Sequence, residues 1–560
     1  MNCNMGSTYI RCNINMRDVP SRTLYIDFAG SENFDGIVTL PRSSTRAGVR
    51  FQNCKNFNSP LYIPNCYYNL WLWGCNNFNS EVTFEEGCVI NNFSQQFSGL
   101  SNYNQPTVFP DTFRHGRYNN TTDFIWAFSG CTNFNSPVHI SNNANNCREM
   151  FLRCSNYNQP TTIPDSVVYI ANMFSGCNNF NSPVTIGNGV INCSHLFTST
   201  SYYGSNFAKF NAPVTLGQNV KMCTHMFAYC PSFNQDMVIT NNVTDCGGMF
   251  RECLNFNSHV TIGRNVIYCV NMFANCVNYN QPITIGSKVA DCYSMFYNCS
   301  KFNQPVTIPD SVNNCVSMFV RCVELSQPII IGRSVTNTES MFYNCTNFNH
   351  PVTIPSSVNY CFYMFEGCTN FDSSVTIQGQ ANCCSMFADC SKFNHPITLP
   401  SGTINCAWMF NSCSNFSQYV YVPDGCNSYR ILSGCSHYKS SISVPSGGSS
   451  VGLAATVNTL GATVVDRGAG TVRTVIQDPL TLSCYWSTEG EGSEYAGDPY
   501  YDSPTTIPEG TGSTSAYFYG CTSYDQDTSI PSSVVTCYKM FSKCSSFNSQ
   551  VTFESGEEGV

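Results

Sequence analysis

Short groups of apolar residues recur along this chain at a nearly constant spacing, separated by polar stretches rich in Asn and Ser. The segments Phe302–Cys322 (FNQPVTIPDSVNNCVSMFVRC) and Phe348–Cys368 (FNHPVTIPSSVNYCFYMFEGC) are near copies of one another. About 21 copies lie between Phe34 and Phe547, and every step from Phe210 to Phe371 is 23 residues. A fixed period in this range predicts a solenoid in which each copy forms one turn.

The pattern within one copy predicts two short elements. Val352–Ile354 is a β-branched run between two prolines, which predicts one strand with Thr353 facing outward. Val358, Cys361 and Phe365 follow at spacings of three or four, which is typical of a second short strand or a single helical turn. One turn cannot bury its apolar side alone, so neighbouring turns must stack.

These elements predict a mainly β fold, a β-solenoid of about 21 turns. We expect an N-terminal cap or attachment segment at 1–33, the repeat solenoid at 34–446, an insertion at 447–500 and C-terminal repeats at 501–560. The first part of the insertion (SSVGLAATVNTLGATVVD) is interpreted as one helix followed by a strand. The last repeat stops in mid-turn after a strand, so we expect another protein or a second copy to cover the open edge.

The repeat resembles two known families. The phrase IP-x-x-V-x-x-(apolar)-x-x-x-F-x-x-C is similar to BspA-type leucine-rich repeats, and V-x-x-x-x-x-MF-x-x-C-x-x-FN is similar to the related MF…FN repeat of bacterial surface lipoproteins. The resemblance covers about Phe34 to Phe553 apart from the insertions. It departs from the first family at Cys361 and its equivalents, where Ile is usual, and from the second in its shorter turn. It implies a leucine-rich-repeat-like solenoid, a fold found in surface adhesins and in phage tail proteins.

Composition and charge exclude several classes of protein. Only 11% of the 560 residues are charged and 42% are hydrophobic, which is not typical of a disordered chain. The net charge of −9 argues against a nucleic-acid partner. We expect no membrane insertion, because the chain has no long apolar stretch, and no secretory signal, because the N-terminal residues lack an apolar run.

The 35 cysteines fall mainly into two columns, seven residues apart within each turn. We interpret both columns as ladders of free thiols in the core, because a free cysteine behaves as a small apolar residue. Disulfides are the first alternative, although in-register neighbours hold their Cβ atoms about 4.8 Å apart, further than a disulfide prefers. A metal is the second, although the Cys-x2-Cys pair of zinc sites is missing. The core ladder includes Cys223, Cys230, Cys246, Cys253, Cys269, Cys276, Cys292, Cys299, Cys315, Cys322, Cys361 and Cys368.

Departures from the repeat are the candidate binding residues, because loops on rigid scaffolds usually carry recognition. Trp126, Tyr363 and Trp408 share a position two residues after the first cysteine slot, which we expect to face outward. Other candidates lie in two insertions, at Tyr202 and Tyr203 and at Glu489, Glu491, Glu494, Tyr495, Asp498 and Tyr500. The acidic residues of the second insertion are typical of a solvated loop, with a calcium site as the alternative.

No catalytic constellation recurs in the turns, so we expect a non-enzymatic protein without cofactor or metal. The first hypothesis is a bacteriophage virion component, a tail fibre or receptor-binding protein assembled in the host cytoplasm. Its partners would be other virion proteins, copies of itself and a host-surface polysaccharide or protein. The alternatives are a bacterial cell-surface leucine-rich-repeat adhesin and a solenoid polysaccharide depolymerase.

Overall fold

The structure is a computed structural model. It describes residues 2–4, 12–18, 23–41, 46–65, 67–90, 93–112, 114–115, 122–198, 209–477, 482–489, 502–507, 518, 521–534, 537, 540–541 and 544–554. The chain forms two compact units, Met1–Asn314 and Cys315–Val560.

The first unit contains twenty short strands within its described part. They are β1 (Asn2–Asn4), β2 (Ile14–Asn15), β3 (Thr23–Asp27), β4 (Val38–Thr39), β5 (Arg46–Arg50), β6 (Leu61–Ile63), β7 (Tyr67–Trp71), β8 (Val82–Phe84), β9 (Val89–Ile90), β10 (Thr107–Val108), β11 (Arg114–His115), β12 (Thr122–Asp123), β13 (Val138–His139), β14 (Ala144–Asn146), β15 (Thr161–Ile163), β16 (Val184–Ile186), β17 (Val214–Thr215), β18 (Met237–Val238), β19 (Val260–Thr261) and β20 (Val306–Thr307).

The second unit contains ten strands and two short 3-10 helices within its described part. The strands are β21 (Ile329–Ile330), β22 (Val352–Ile354), β23 (Val375–Ile377), β24 (Val420–Tyr421), β25 (Ser441–Val444), β26 (Thr463–Asp466), β27 (Thr471–Gln477), β28 (Cys484–Glu489), β29 (Thr528–Ile530) and β30 (Val551–Phe553). The 3-10 helices are Gly448–Val451 and Val457–Thr459.

Two parallel ladders run through the first unit. One joins the Val-Thr-Ile legs, as in β15-β16-β17, where Thr162 lies opposite Thr185. The other begins as the six-stranded sheet β1-β3-β5-β7-β9-β11. It continues as single bridges from Asn146 to Asn314, each one turn from the next. The predicted β-solenoid with a period of 23 is therefore confirmed, and the 23-residue register extends back to Asn2, which lies opposite Tyr25.

The legs alternate as predicted. In β15, β16, β22 and β23 the two outer residues are buried and the central threonine is exposed. The short strands are stable because each backbone group pairs with the neighbouring turn rather than within its own turn.

The second leg is a chain of tight turns in most copies, and no α-helix occurs among the described residues. Within one turn, the N–H of Met249 donates to the carbonyl of Cys246 (3.2 Å) and Cys253 to Phe250 (3.0 Å). Between turns, the N–H of Phe250 donates to the carbonyl of Met272 (2.9 Å). Alternate N–H groups thus close a local turn and bond to the next copy, which satisfies the backbone without a regular helix.

The core of each unit is a continuous stack of aromatic rings between the two legs. The ring of Phe256 lies 4.4 Å from that of Phe250 in its own copy and 5.9 Å and 5.7 Å from Phe233 and Tyr279 in the adjacent copies, centroid to centroid. The same arrangement occurs in the second unit, for example between Phe348 and Phe371 (6.0 Å). Offset stacking of this kind adds to the free energy gained from burial.

The start of the long insertion differs from prediction. The expected single helix is wrong: the segment forms two 3-10 helices, because glycines with φ of +79° and +87° at Gly452 and Gly461 interrupt it. The predicted strand is present as β26, which pairs in parallel with β25 and completes one more turn. An antiparallel pair, β27 and β28, extends this sheet. Within the described residues, no helix has both the length and the apolar character needed to span a lipid bilayer.

Candidate functional site

Two positions in each regular turn adopt a left-handed backbone conformation although most of their residues are not glycine. One lies two residues after the first core slot and the other directly before the second core slot. We call the first of these two sets the left-handed column. A positive φ disfavours ordinary side chains and bulky ones most, at a cost of about 1–2 kcal/mol each. The column contains Gln95, Trp126, Glu149, Asn172, His195, His225, Gly248, Asn271 and Ser294 in the first unit, and Ser317, Ser340, Tyr363, Ser385, Trp408 and Arg430 in the second.

The column contains the three aromatic residues singled out from the sequence. Trp126, Tyr363 and Trp408 have φ of 55°, 59° and 58°. The side chains of Trp126 and Tyr363 are 36% and 39% exposed, and that of Trp408 is half-buried. None of the three belongs to the buried core. The positive φ recurs at this slot from turn to turn and belongs to the fold, whereas core packing does not explain why a large ring occupies the slot in these three turns.

Polar partners orient the first of these rings. The indole Nε1 of Trp126 donates a hydrogen bond to the Glu149 carboxylate, one turn along the same column. Two turns further on, the rings of His195 and His225 stack in parallel with centroids 4.9 Å apart. Burial is the largest cause that lowers the pKa of both imidazoles, and the charge of His195 lowers that of His225 further. This histidine pair was not singled out from the sequence.

In the second unit, two aromatic residues of the column lie close to a cluster of further aromatic and charged groups. Tyr363 and Trp408 are two turns apart, with the small, buried Ser385 between them. The N–H of Tyr363 donates to Cys384 (3.0 Å) in the next turn, so these copies stack in register. At the strand spacing of about 4.8 Å, the two positions are about 10 Å apart.

The Trp408 end carries positive charge. The guanidinium carbon of Arg430 lies 5.0 Å from the centroid of the Trp408 ring and 5.4 Å from that of Tyr429. Tyr429 is exposed and meets Trp408 edge to face at 5.9 Å. Tyr429 and Arg430 were not singled out from the sequence, because the step from Cys406 to Cys426 is shorter than 23 residues and hides the alignment of this copy with its neighbours. The bridge between Asn405 and Asn427 shows the correct alignment, in which Arg430 follows Trp408 in the column.

The Tyr363 end carries negative charge. Burial raises the pKa of the Glu339 carboxyl. Burial also raises the pKa of the Glu366 carboxyl, and the charge of Asp389 raises it further. Burial is also the largest cause that raises the pKa of the Tyr363 hydroxyl, with smaller contributions from Glu366 and Glu339. The two carboxyl groups are therefore within electrostatic reach of the phenol.

Amide side chains lie three residues before Ser385 and Trp408 of the column, at Asn382 and Asn405. The Oδ1 atoms of Asn382 and Asn405 accept the N–H groups of Cys384 (3.2 Å) and Ala407 (3.0 Å). The Nδ2 groups of these two asparagines have no acceptor among the described residues and are partly exposed. The arrangement as a whole presents rings, hydrogen-bond donors and hydrogen-bond acceptors to solvent on a rigid backbone.

The two cysteine columns lie in the core. Every cysteine whose side chain the structure describes is a free thiol, and nearly all are buried. The shortest Sγ–Sγ distances are 3.3 Å between Cys406 and Cys426 and 3.4 Å between Cys361 and Cys383, where a step is shorter than 23 residues. Thr338, the polar exception in the first column, is also buried and donates to the carbonyl of Tyr360 (3.3 Å).

The other candidates from the sequence lie outside the described residues. Tyr202, Tyr203, Glu491, Glu494, Tyr495, Asp498 and Tyr500 are in this group, and of Glu489 only the backbone, at the end of β28, is described. The expectation of a solvated acidic loop in this insertion, with a calcium site as the alternative, therefore stays a prediction. In the part of the chain that the structure describes, no group of three or more His, Cys, Asp or Glu side chains is arranged to hold a metal ion.

Comparison with known proteins places these features in a family context. The chain is similar in fold to a leucine-rich repeat protein from Bacteroides ovatus (15% identity, 69% of this chain and 86% of that chain, TM-score 0.42). It is also similar to a leucine rich cell surface protein from Faecalibacterium prausnitzii (17% identity, 62% and 84%, TM-score 0.29) and to a leucine-rich repeat protein from Eubacterium ventriosum (14%, 62% and 79%, TM-score 0.29). No curated protein matches its sequence.

The family match is more extensive. The profile of the family described as "Mycoplasma protein of unknown function, DUF285" matches six overlapping segments, 68–185, 122–238, 164–262, 238–331, 286–376 and 313–422. Together they cover more than half of the chain, and they confirm the resemblance to the MF…FN repeat. The chain belongs to the DUF285 family, and its fold is that of a leucine-rich-repeat-like β-solenoid.

Proposed function

We propose that this chain is a non-enzymatic binding protein of the adhesin type, displayed on the surface of a bacterial cell. The observation that carries the proposal is the set of three large aromatic side chains outside the core, Trp126, Tyr363 and Trp408, at positive-φ positions. Strained residues that do not serve the core often belong to functional sites, and aromatic residues are enriched at interfaces.

The rest of the chain supports a scaffold role. The aromatic core, the paired legs and the buried thiols recur from turn to turn, whereas the left-handed column holds residues as different as Trp, Glu, His, Ser and Arg. The location follows from the resemblance to surface-lipoprotein repeats, which the family match supports. The virion interpretation made from the sequence stays a prediction that no structural observation favours.

Two measurements test this proposal. Protease treatment of intact source cells should release peptides of this chain, and purified chain should bind to target cells. Replacing Trp126, Tyr363 and Trp408 together with Asn should weaken cell binding at least about tenfold. Asn already occupies this column at Asn172 and Asn271, so the variant should fold.

The matched control is Tyr62→Thr, which removes an exposed aromatic from an outward strand position where other copies carry Thr. If the chain is recovered in purified phage particles and is absent from cell surfaces, the proposed cell-surface location is wrong and the virion prediction is supported. Release of reducing ends from host polysaccharide by the purified chain would contradict a non-enzymatic role and support the depolymerase alternative.

A further inference from the structure

We propose that the surface between Tyr363 and Trp408 binds a neutral, unbranched pyranose oligosaccharide, lying along the column with one sugar ring on each aromatic side chain. This inference deepens the proposed function and rests on it. We call the site, formed by Tyr363, Ser385, Trp408 and the polar groups on either side, the two-platform site.

The spacing of the rings indicates an extended ligand. The two aromatic positions are separated by one complete turn whose column residue, Ser385, is small and buried. A separation of about 10 Å is comparable to the length of a disaccharide unit, so one unbranched chain can contact both rings. A single small cation or a single sugar can contact only one of them.

The charges at the two ends select a neutral ligand. The guanidinium carbon of Arg430 lies 5.0 Å from the centroid of the Trp408 ring and already makes a cation–π contact with that platform. It would repel a cationic ligand such as a quaternary ammonium group. Glu366, whose N–H donates to the Tyr363 carbonyl (3.2 Å), and Glu339, which precedes Ser340 in the turn bonded to Phe362 (3.1 Å), would repel a polyanion. A neutral oligosaccharide is repelled neither by Arg430 nor by the two carboxyl groups.

The flanking polar groups match sugar hydroxyls, which both donate and accept. The Nδ2 groups of Asn382 and Asn405, each three residues before a column residue of the site, supply donors. Glu366 and Asp389 supply acceptors, and the backbone of Glu366 is held next to Tyr363 because its N–H donates to the Tyr363 carbonyl (3.2 Å). Aromatic faces with a few polar groups that fix orientation are the usual composition of small-molecule sites.

The cost of the site supports a role in binding. Both rings occupy backbone positions with positive φ, where Gly or Asn is preferred and a bulky side chain is strained. Neighbouring copies place Ser340 and Ser385 at the same slot, so the fold does not need a ring there.

The test is calorimetric titration of the full chain with cellohexaose, chitohexaose and maltohexaose. We expect at least one of them to bind, and Tyr363→Asn or Trp408→Asn to weaken that binding at least about tenfold. Tyr363→Phe, which keeps the ring, should retain most of the affinity, and Tyr62→Thr should retain all of it. Melting temperatures of the variants check that they fold.

The outcomes separate this inference from the proposed function. If none of the three oligosaccharides binds, or if tetramethylammonium binds in their place, the two-platform site is wrong. If cell binding is intact but insensitive to Tyr363→Asn and Trp408→Asn, the oligosaccharide site is again wrong while the adhesin proposal stands. If oligosaccharide binds at these rings but the chain is absent from cell surfaces and does not bind to cells, the adhesin proposal fails and the site stands.

Discussion

A cysteine in the second column fills the core and also donates a hydrogen bond. The Sγ atom of Cys253 donates to the carbonyl oxygen of Phe227 (3.1 Å), and the Sγ atom of Cys276 donates to the carbonyl oxygen of Phe250 (2.9 Å). The carbonyl of Phe250 already accepts the N–H of Cys253 (3.0 Å), so valine or alanine would fill the slot and lose only this second hydrogen bond, whereas serine would bring a more polar group into a dry core. The sequence predicted the small apolar role of these residues, but spacing alone contains no information about the carbonyl acceptor.

The buried thiols predict a loss of stability in alkali. Burial raises the pKa of Cys54 and Cys75 to about 12, from an ordinary value of 9.0. Between these two values the folded chain holds more protons than the unfolded chain. The free energy of unfolding should therefore fall as pH rises above about 9, by about 1.4 kcal/mol per pH unit for each such thiol. Below pH 9 these thiols make no pH-dependent contribution.

Urea unfolding between pH 7 and 10.5, with reductant present, checks this expectation. The double variant Cys54→Ala and Cys75→Ala is the control and should show a shallower decline than the parent chain. A free energy of unfolding that stays constant up to pH 10.5 would mean that water reaches the thiols.

At the level of the element, the residue after each aromatic anchor joins consecutive turns. The Oδ1 atom of Asn257 accepts the N–H of Asn280 at 2.8 Å, and Asn257 in turn donates its own N–H to Asn234 at 2.8 Å. Asp525 has the same role, accepting from Asn548 (2.7 Å). The recurrence of Phe-Asn therefore has a structural cause. The slot requires a short side chain with an oxygen that accepts a hydrogen bond, which at Ser417 is the hydroxyl oxygen that accepts the N–H of Lys439 (2.8 Å).

Removing one such oxygen should weaken the ladder measurably. Asn257→Ala leaves the N–H of Asn280 without its acceptor and should lower the free energy of unfolding by about 1 kcal/mol. Asn257→Asp keeps the oxygen, as Asp525 does, and should cost less than half as much. Urea denaturation of both variants checks the difference. Equal losses for both would indicate that the amide donor of Asn257, rather than its oxygen, is what matters.

At the scale of the molecule, the period determined how much could be predicted. The fold class, the outward threonines and the buried anchors all follow from a repeat whose apolar positions recur every 23 residues. The left-handed column could not be predicted, because a positive φ at Trp408 or Tyr363 contradicts the local preference of those residues and arises from the two interlocking hydrogen-bond patterns of the second leg. Arg430 was missed for the related reason that a shortened step displaced it from the frame.

Because the turns form a stacked array, we also predict that a core substitution destabilises mainly the turns next to it. Phe256→Ala removes a ring packed against Phe250, Phe233 and Tyr279 and should cost about 3–5 kcal/mol at its own turn. Since each turn contacts mainly its neighbours, amide hydrogen exchange should accelerate most around 233–279 and little near Tyr103 in the same unit. The exposed strand residue Thr261 offers the control, because Thr261→Ala leaves the core intact and should change exchange only slightly. An equal loss of protection throughout the first unit would show one cooperative core, in which stability is not a sum over neighbouring turns.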